Sequence, residues 1–310
     1  MTEWNEWDYA LQLEQKKDTS VVGRLLDGAI DMHLHFEPEP WMTRRFDALE
    51  TALHLRENGL AGFVLKNRTY CTEALAQLVQ RLVPDLFIFG SLVLDGETGG
   101  LNYRAVRGAA AMGTKVLWMP VFFSANSMSV VERNFNLDLG GEGITIIDEA
   151  GVLLPVARDI LKVAKDNGMV VCTGHVSPRE VFALANECAR LGLTKLVATH
   201  PMSTIVFEEA LSLDDAVSLA KSGVYIEYCA QLISPTADDL SPAIVADHIK
   251  AVGPEQSLLT TDFGGTPHPT IAEGMRMCIS ALLKNGLSAA DVEVMVKRNP
   301  RHLLGLPSVD

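Results

Sequence analysis

Short apolar runs alternate with amphipathic stretches along most of the chain, and the alternation predicts strands and helices in turn. The run Leu25-Leu26-Asp27-Gly28-Ala29-Ile30 leads into Asp31-Met32-His33-Leu34-His35 as a first buried strand. Phe36-Glu37-Pro38-Glu39-Pro40 must end it, because proline lacks the N–H that a central strand donates. A helix over 46–58 closes at Gly59, and Gly62–Lys66 reads as a second strand. A helix over 72–82, a third strand over 86–93, a helix near 103–112 and a fourth strand over 115–120 follow. Between Val121 and Gly151 the rhythm breaks into a stretch rich in Asn, Ser and Gly, closing on two apolar runs around a tight turn. That predicts a long loop with a small hairpin, inserted after the fourth strand and folded over the site. Afterwards come a helix over 155–167, a fifth strand over 169–175, and a helix over 180–191 entered through the cap Ser177-Pro178-Arg179-Glu180. Strands over 195–200, 224–228 and 257–262 complete eight repeats, the count of a (β/α)8 TIM barrel of the α/β class. The barrel is expected over 25–310, behind an N-terminal arm over 1–24.

Composition narrows the functional classes. Of 310 residues, 48% are hydrophobic and 21% charged, which excludes wholesale disorder. A net charge of -13, with no cluster of Lys or Arg, repels phosphate backbones, so nucleic acid is not an expected partner. Cys71, Cys172, Cys188, Cys229 and Cys278 are odd in number, widely spaced and without CxxC spacing, which predicts reduced thiols in a cytoplasmic protein. The opening residues lack the basic and apolar regions of a signal peptide, and no apolar run approaches a membrane span, so no membrane partner is expected. Trp4, Trp7 and Tyr9 among Glu3, Glu6 and Asp8 read as a helical arm packed on the barrel or, alternatively, as a contact within a homo-oligomer.

Chemistry enters at the strand ends. His33 and His35 are two apart on a strand and so share a face. His175, His200 and Asp262 end the predicted fifth, sixth and eighth strands. In a (β/α)8 barrel these ends surround one mouth, where active sites are built. Each alone reads as an ordinary polar residue or cap, but together they point to one or two bound divalent metals, zinc first, with iron or manganese as alternatives.

This combination resembles the amidohydrolase superfamily: His-x-His on the first strand, His on the fifth and sixth, Asp on the eighth. The closing Asn299-Pro300-Arg301-His302-Leu303-Leu304-Gly305-Leu306 is similar to that superfamily's Asn-Pro-Ala-x-x-Leu-Gly-Leu. The likeness runs from about residue 27 to 306. Gly62–Lys66, Gly99–Asn102, Gly174-His175-Val176-Ser177 and Thr261-Asp262-Phe263-Gly264 together resemble a compact single-domain group of metal-dependent hydrolases within it. One feature departs. Many binuclear members carry a carboxylated lysine at the end of the fourth strand, where this chain has Trp118-Met119-Pro120, while Lys115 lies near the strand's start. Lys66, at the end of the second strand, is the candidate bridging lysine instead. Its alternative is a cation that pairs with a substrate carboxylate or a rim acid.

The resemblance implies that His33, His35, Lys66, His175, His200 and Asp262 hold the metal, which lowers the pKa of bound water and polarises a carbonyl. Asp262 would move the proton, and His200 would ligate or hydrogen-bond. Substrate groups must come from loops, where Arg44, Arg45, Arg68 and Asn102, with Ser124, Asn126 and Arg133 in the long insert, suggest a small, polar, anionic molecule. The expected reaction is hydrolysis of a C–N bond, in an amide or cyclic amide, or of a lactone. The alternatives are a metal-dependent decarboxylase and a metal-retaining barrel without catalysis.

Overall fold

In the computed structural model, which describes residues 18–308, Ile30–His35 (β1), Gly62–Lys66 (β2), Phe87–Val93 (β3), Val116–Trp118 (β4), Val170–Cys172 (β5), Leu196–Ala198 (β6), Tyr225–Cys229 (β7) and Ser257–Thr260 (β8) pair in chain order. Every neighbouring pair is parallel. Just beyond β8, Asp262 N donates to His33 O at 2.8 Å and His35 N to Phe263 O at 2.8 Å, which draws the two edges together. The result is the (β/α)8 barrel, with helices between successive strands. The residues of the expected N-terminal arm up to position 17, with its aromatic cluster, lie outside the described residues.

Two apolar cores follow from strand alternation. Phe63 and Leu65 pack outward with the helices, while Val64 joins Ile30, Met32, Val116, Val170 and Leu258 inside the barrel. Helices cover the outside with one face. In Pro155–Asp166, Ala157, Ile160, Leu161 and Ala164 are buried at helical spacing. Asn299 fixes the C-terminal motif by donating through Nδ2 to Pro254 O at 2.9 Å and Ser257 O at 2.7 Å, at the start of β8.

β1 breaks the simple alternation. Ile30 and Met32 face the inner core and Leu34 the outer one, and the pairing with β2 shifts register between Asp31 and Leu34. This irregularity turns His33 inward behind Met32, and His35 follows it. Asp31 is fully buried there: Oδ1 accepts from His33 N at 3.1 Å and Thr261 N at 3.2 Å, and Oδ2 from Thr261 Oγ1 at 2.5 Å. Burial pushes its carboxyl up to about 7 against these hydrogen bonds.

Element limits differ from expectation in physically sensible places. The apolar run at 25–30 splits, because Val21–Leu26 is a short helix capped by Ser20 and the strand starts only at Ile30. Strands β4, β5 and β6 are three residues each, so His175 and His200 stand on the turns that follow them. The insert after β4 contains a helix, Met128–Phe135, that local polarity conceals. The expected hairpin reduces to a single antiparallel bridge, Ile147 with Leu153. Glu180 pins this insert to the start of the helix Pro178–Leu191, accepting from Ser177 N at 2.8 Å through Oε2 and from Ile146 N at 2.8 Å through Oε1.

Candidate metal centre at the barrel mouth

Three side chains converge where β1 meets the turn after β8. Asp262 Oδ1 lies 3.0 Å from His33 Nε2 and 3.1 Å from His35 Nε2, and the three ligand atoms fall within 4.8 Å of one another. His200 Nε2 stands 3.8 Å from Asp262 Oδ2, and the His200 ring centroid is 5.0 Å from that of His175. Lys66, wholly buried, brings Nζ to 2.8 Å from His33 Nε2 and 4.2 Å from the Trp118 ring centroid.

The backbone is held in unusual conformations to achieve this. His200 and Asp262 both have positive φ, 24° and 54°, where a side chain is costly unless the surroundings enforce it. Two glycines permit the close turns. A Cβ on Gly174 would lie 2.4 Å from both Met119 O and Pro120 O, and one on Gly264 would lie 2.0 Å from His35 O.

Hydrogen bonds select the tautomers. Glu227, on β7, sets Oε1 3.0 Å from His33 Nδ1, so Nδ1–H donates and Nε2 carries the lone pair. Ser127 Oγ donates to Val206 O at 2.6 Å and therefore accepts from His175 Nδ1 at 2.9 Å, which again leaves Nε2 as the free donor atom. Burial holds His35, His175 and His200 below the ordinary imidazole range, in the neutral form that ligates. His33 differs: burial pulls it down, but Asp262 and Glu227 offset this and leave its pKa raised. Asp262 is opposed by burial yet held well below the carboxylate range by His33 and His35.

These features fit a divalent metal. His33 Nε2, His35 Nε2 and Asp262 Oδ1 converge closely enough for one ion to take all three, and the buried His35 Nδ1 and His200 Nδ1 have no partner among the described residues. Zinc, iron and manganese all accept such imidazole and carboxylate donors.

A cavity of about 60 Å³ opens beside this cluster, lined by His35, Lys66, His175, His200 and Asp262 together with loop residues. Arg44 and Arg68 are part of its wall, both buried. Arg45 is not: it is tied to the loop after β8, donating to Thr266 O at 2.9 Å and His268 O at 2.8 Å. Asn102 is likewise elsewhere, capping the helix Tyr103–Met112 by accepting from Ala105 N at 3.1 Å. Within the insert, Ser124 Oγ and Asn126 Nδ2 donate to His175 O at 2.9 and 3.3 Å, while Arg133 is exposed. Lys115, at the start of β4, lies beside Gly305 and away from the cavity lining.

Sequence reasoning passes over four contributors. Glu227 sits in the apolar strand β7, and an isolated acid at an inward position there is the available signal. With its amide oriented to donate, Gln231 reaches Asp262 Oδ2 at 3.1 Å. Asp95 accepts from the N–H groups of Val121, Phe122 and Phe123 at 2.7, 3.2 and 3.2 Å and so anchors the start of the insert. Glu39 receives both cavity arginines, through Arg44 Nη2 and, at 2.5 Å, Arg68 Nη2. Phe122 and Phe135 from the insert line the cavity, with Phe122 and most of the segment's apolar side chains buried, so the insert forms a packed wall of the mouth.

Residues 28–227 match the model of the Family of unknown function (DUF6282), a span that includes His33 through Glu227 and stops before Asp262. No curated protein matches the sequence. Among solved structures, the chain is similar to the probable dipeptidase PvdM from Pseudomonas aeruginosa, with TM-score 0.61, 15% identity, and 92% of this chain and 96% of that one covered. An amidohydrolase from Pseudomonas aeruginosa gives TM-score 0.57 at 13% identity over 91% of this chain and 98% of that one. A mutant organophosphorus hydrolase from Deinococcus radiodurans gives 0.57 at 16% identity over 91% and 94%. At these identities the likeness is one of fold, and it is the fold that the amidohydrolase resemblance implied.

Proposed function

This chain belongs to the Family of unknown function (DUF6282), and we propose from its site that it is a metal-dependent hydrolase of the amidohydrolase superfamily, cleaving an amide, cyclic amide or lactone bond in a small polar substrate. The observation that carries this reading is the convergence of His33 Nε2, His35 Nε2 and Asp262 Oδ1 at the mouth of the barrel. Solved structures of the same fold bear names of dipeptidase, amidohydrolase and organophosphorus hydrolase, which supports hydrolysis as the reaction class.

His33, His35 and Asp262 would hold one ion, with His175, His200 and Lys66 available for a second. An ion bound there would supply a Lewis acid for a carbonyl oxygen and lower the pKa of water toward neutrality. The two oxygens of Asp262 then act separately. Oδ1 faces the ligand cluster, while Oδ2, steadied by Gln231, takes the proton and returns it to the leaving nitrogen or oxygen. Glu227 fixes the His33 tautomer, and His200, near Oδ2, donates toward the substrate or ligates. Lys66, carboxylated on its amine, would be a further ligand, since a bare ammonium beside divalent ions is repelled.

The test is an assay of protein purified without chelator against amide, lactone and carboxylic-acid panels, with carbon dioxide release followed in parallel. At least about half an equivalent of bound transition metal is expected, because a ligand set this complete should retain the ion through purification. Amide or lactone cleavage lost on metal removal is the expected outcome. Carbon dioxide release without hydrolysis would instead assign a decarboxylase, and metal-independent turnover would remove the site's assigned role.

A further inference from the structure

The mouth carries a charge imbalance that the hydrolytic chemistry leaves unused. Arg44 and Arg68 bring two guanidiniums to the cavity, neither of them used as a ligand or base, in a chain whose net charge is -13. Behind the wall, Glu39 is the counter-ion of both arginines, and they crowd onto one of its oxygens: Arg44 Nη2 and Nε and Arg68 Nη2 all point to Oε2. One carboxylate therefore serves two buried guanidiniums. Arg68 Nε is buried and has no partner among the described residues, although Arg68 is only 3% exposed.

The geometry is prepared rather than incidental. Glu37 fastens the loop that carries Arg44, accepting from Arg44 N at 2.6 Å through Oε1 and from Glu39 N at 2.9 Å through Oε2. Across the cavity, the Arg68 guanidinium lies 3.7 Å from the Phe122 ring centroid, which fixes its plane. Phe122, Phe135, Met42 and Val206 give the wall an apolar part beside the polar Gln231 and His268. A rigid planar fork with spare N–H groups matches a carboxylate in shape and charge, and a buried cation in excess of its counter-ion favours an incoming anion.

We propose that Arg44 and Arg68 form a carboxylate clamp, so that the substrate is a small carboxylic acid whose apolar body rests on Phe122 and Phe135 while its labile bond is presented to Asp262. This rests on the hydrolase reading for the bond that is cleaved, but the clamp itself does not depend on turnover. Glu39 sets its strength: it keeps the two guanidiniums together without the acid and competes with the acid for them.

Binding is measured by calorimetry at low salt on the full-length protein as purified, using propanoate and benzoate against their neutral isosteres propanamide and benzamide, with metal content determined for every variant. Each acid should bind at least about tenfold more tightly than its amide, as expected for charge-assisted pairing. Arg68→Met should bring acid and amide within about twofold of each other at unchanged metal content, the difference left once the charged donor is gone. Glu39→Gln should tighten acid binding several-fold and leave amide binding unchanged, whereas a merely structural Glu39 would weaken both. Should Arg68→Met not fold, Arg68→Lys, which keeps the charge and loses the fork, should cut the preference for the acid by at least about threefold. Equal binding of acid and amide, a preference that survives the Arg68 substitutions, weaker acid binding in Glu39→Gln, or phenyl phosphate bound in place of benzoate overturns the clamp. Its failure is distinct from that of the hydrolase reading. Cleavage of neutral amides with no preference for acids removes only the clamp, and clamp binding with no cleavage in the panels removes only the hydrolase.

Discussion

Glu227 Oε1 and His33 Nδ1 lie 3.0 Å apart, both side chains essentially shut off from solvent. Thr260 Oγ1 donates to the same Oε1 at 3.0 Å, and His200 N donates to Oε2 at 3.2 Å, so one carboxylate on β7 aligns β1, β8 and the turn after β6. Such an outer carboxylate raises the basicity of the imidazole it holds and fixes its ring. Glu227→Gln, which keeps the shape and removes the charge, is expected to weaken metal affinity by about 10-fold to 100-fold. Metal titration against a competing chelator measures it, and wild-type affinity would reduce Glu227 to a packing role.

Asp262→Asn removes a base while leaving the outline of the cavity. Turnover should fall by about 10²-fold or more, with a much smaller change in KM, if Asp262 carries the proton. Metal content must be measured alongside, because Asp262 is also in the ligand cluster. Near-normal turnover with metal still bound would leave Asp262 as ligand only.

Lys66 is expected to form a carbamate. Lys66→Ala should then empty at least one metal position, and Lys66→Arg should do the same, since arginine supplies charge but no carbamate. Isotopically labelled bicarbonate should give a carbamate resonance in the metal-loaded wild type and none in either variant. A normal metal count in Lys66→Arg argues instead for a free cation that pairs with substrate.

Asp95 should make stability depend on pH. Burial pushes its carboxyl up to about 6, against the hydrogen bonds from Val121, Phe123 and Phe122. The folded protein then holds a proton that the unfolded chain has released between roughly pH 4 and pH 6, so stability falls as pH rises through that window. The difference in urea unfolding free energy between wild type and Asp95→Asn should decline across it by up to roughly 3 kcal/mol and be flat above it. A difference that is constant or rises with pH contradicts this.

Much of the architecture is legible in sequence because its signals are local. Alternating apolar runs and helix caps mark the eight strands, and Lys66 faces inward as the period of β2 requires. The insert is less legible where a polar face hides the helix Met128–Phe135, since its buried side, Met128, Val130 and Val131, is defined by the barrel it packs on. Arg45 and Asn102 are indistinguishable in sequence from cavity residues; what separates them from Arg44 and Arg68 is where their loops fold.

By itself, then, the sequence determined the strand–helix repeat and where His33, His35, Lys66, His175, His200 and Asp262 fall relative to their strands, because each depends on spacing within a single strand–helix unit. Tertiary structure alone decided how those residues meet. Asp31 catches Thr261 N across 230 positions and so stabilises the shifted register that turns His33 inward. Glu227 finds His33 across 194 positions and selects its tautomer. Glu39, 29 positions before Arg68, gathers that residue with Arg44 into one buried cluster. The physical reason is common to all three: a buried polar group must find its partner, and the partner is supplied by whichever strand or loop the closed barrel brings alongside.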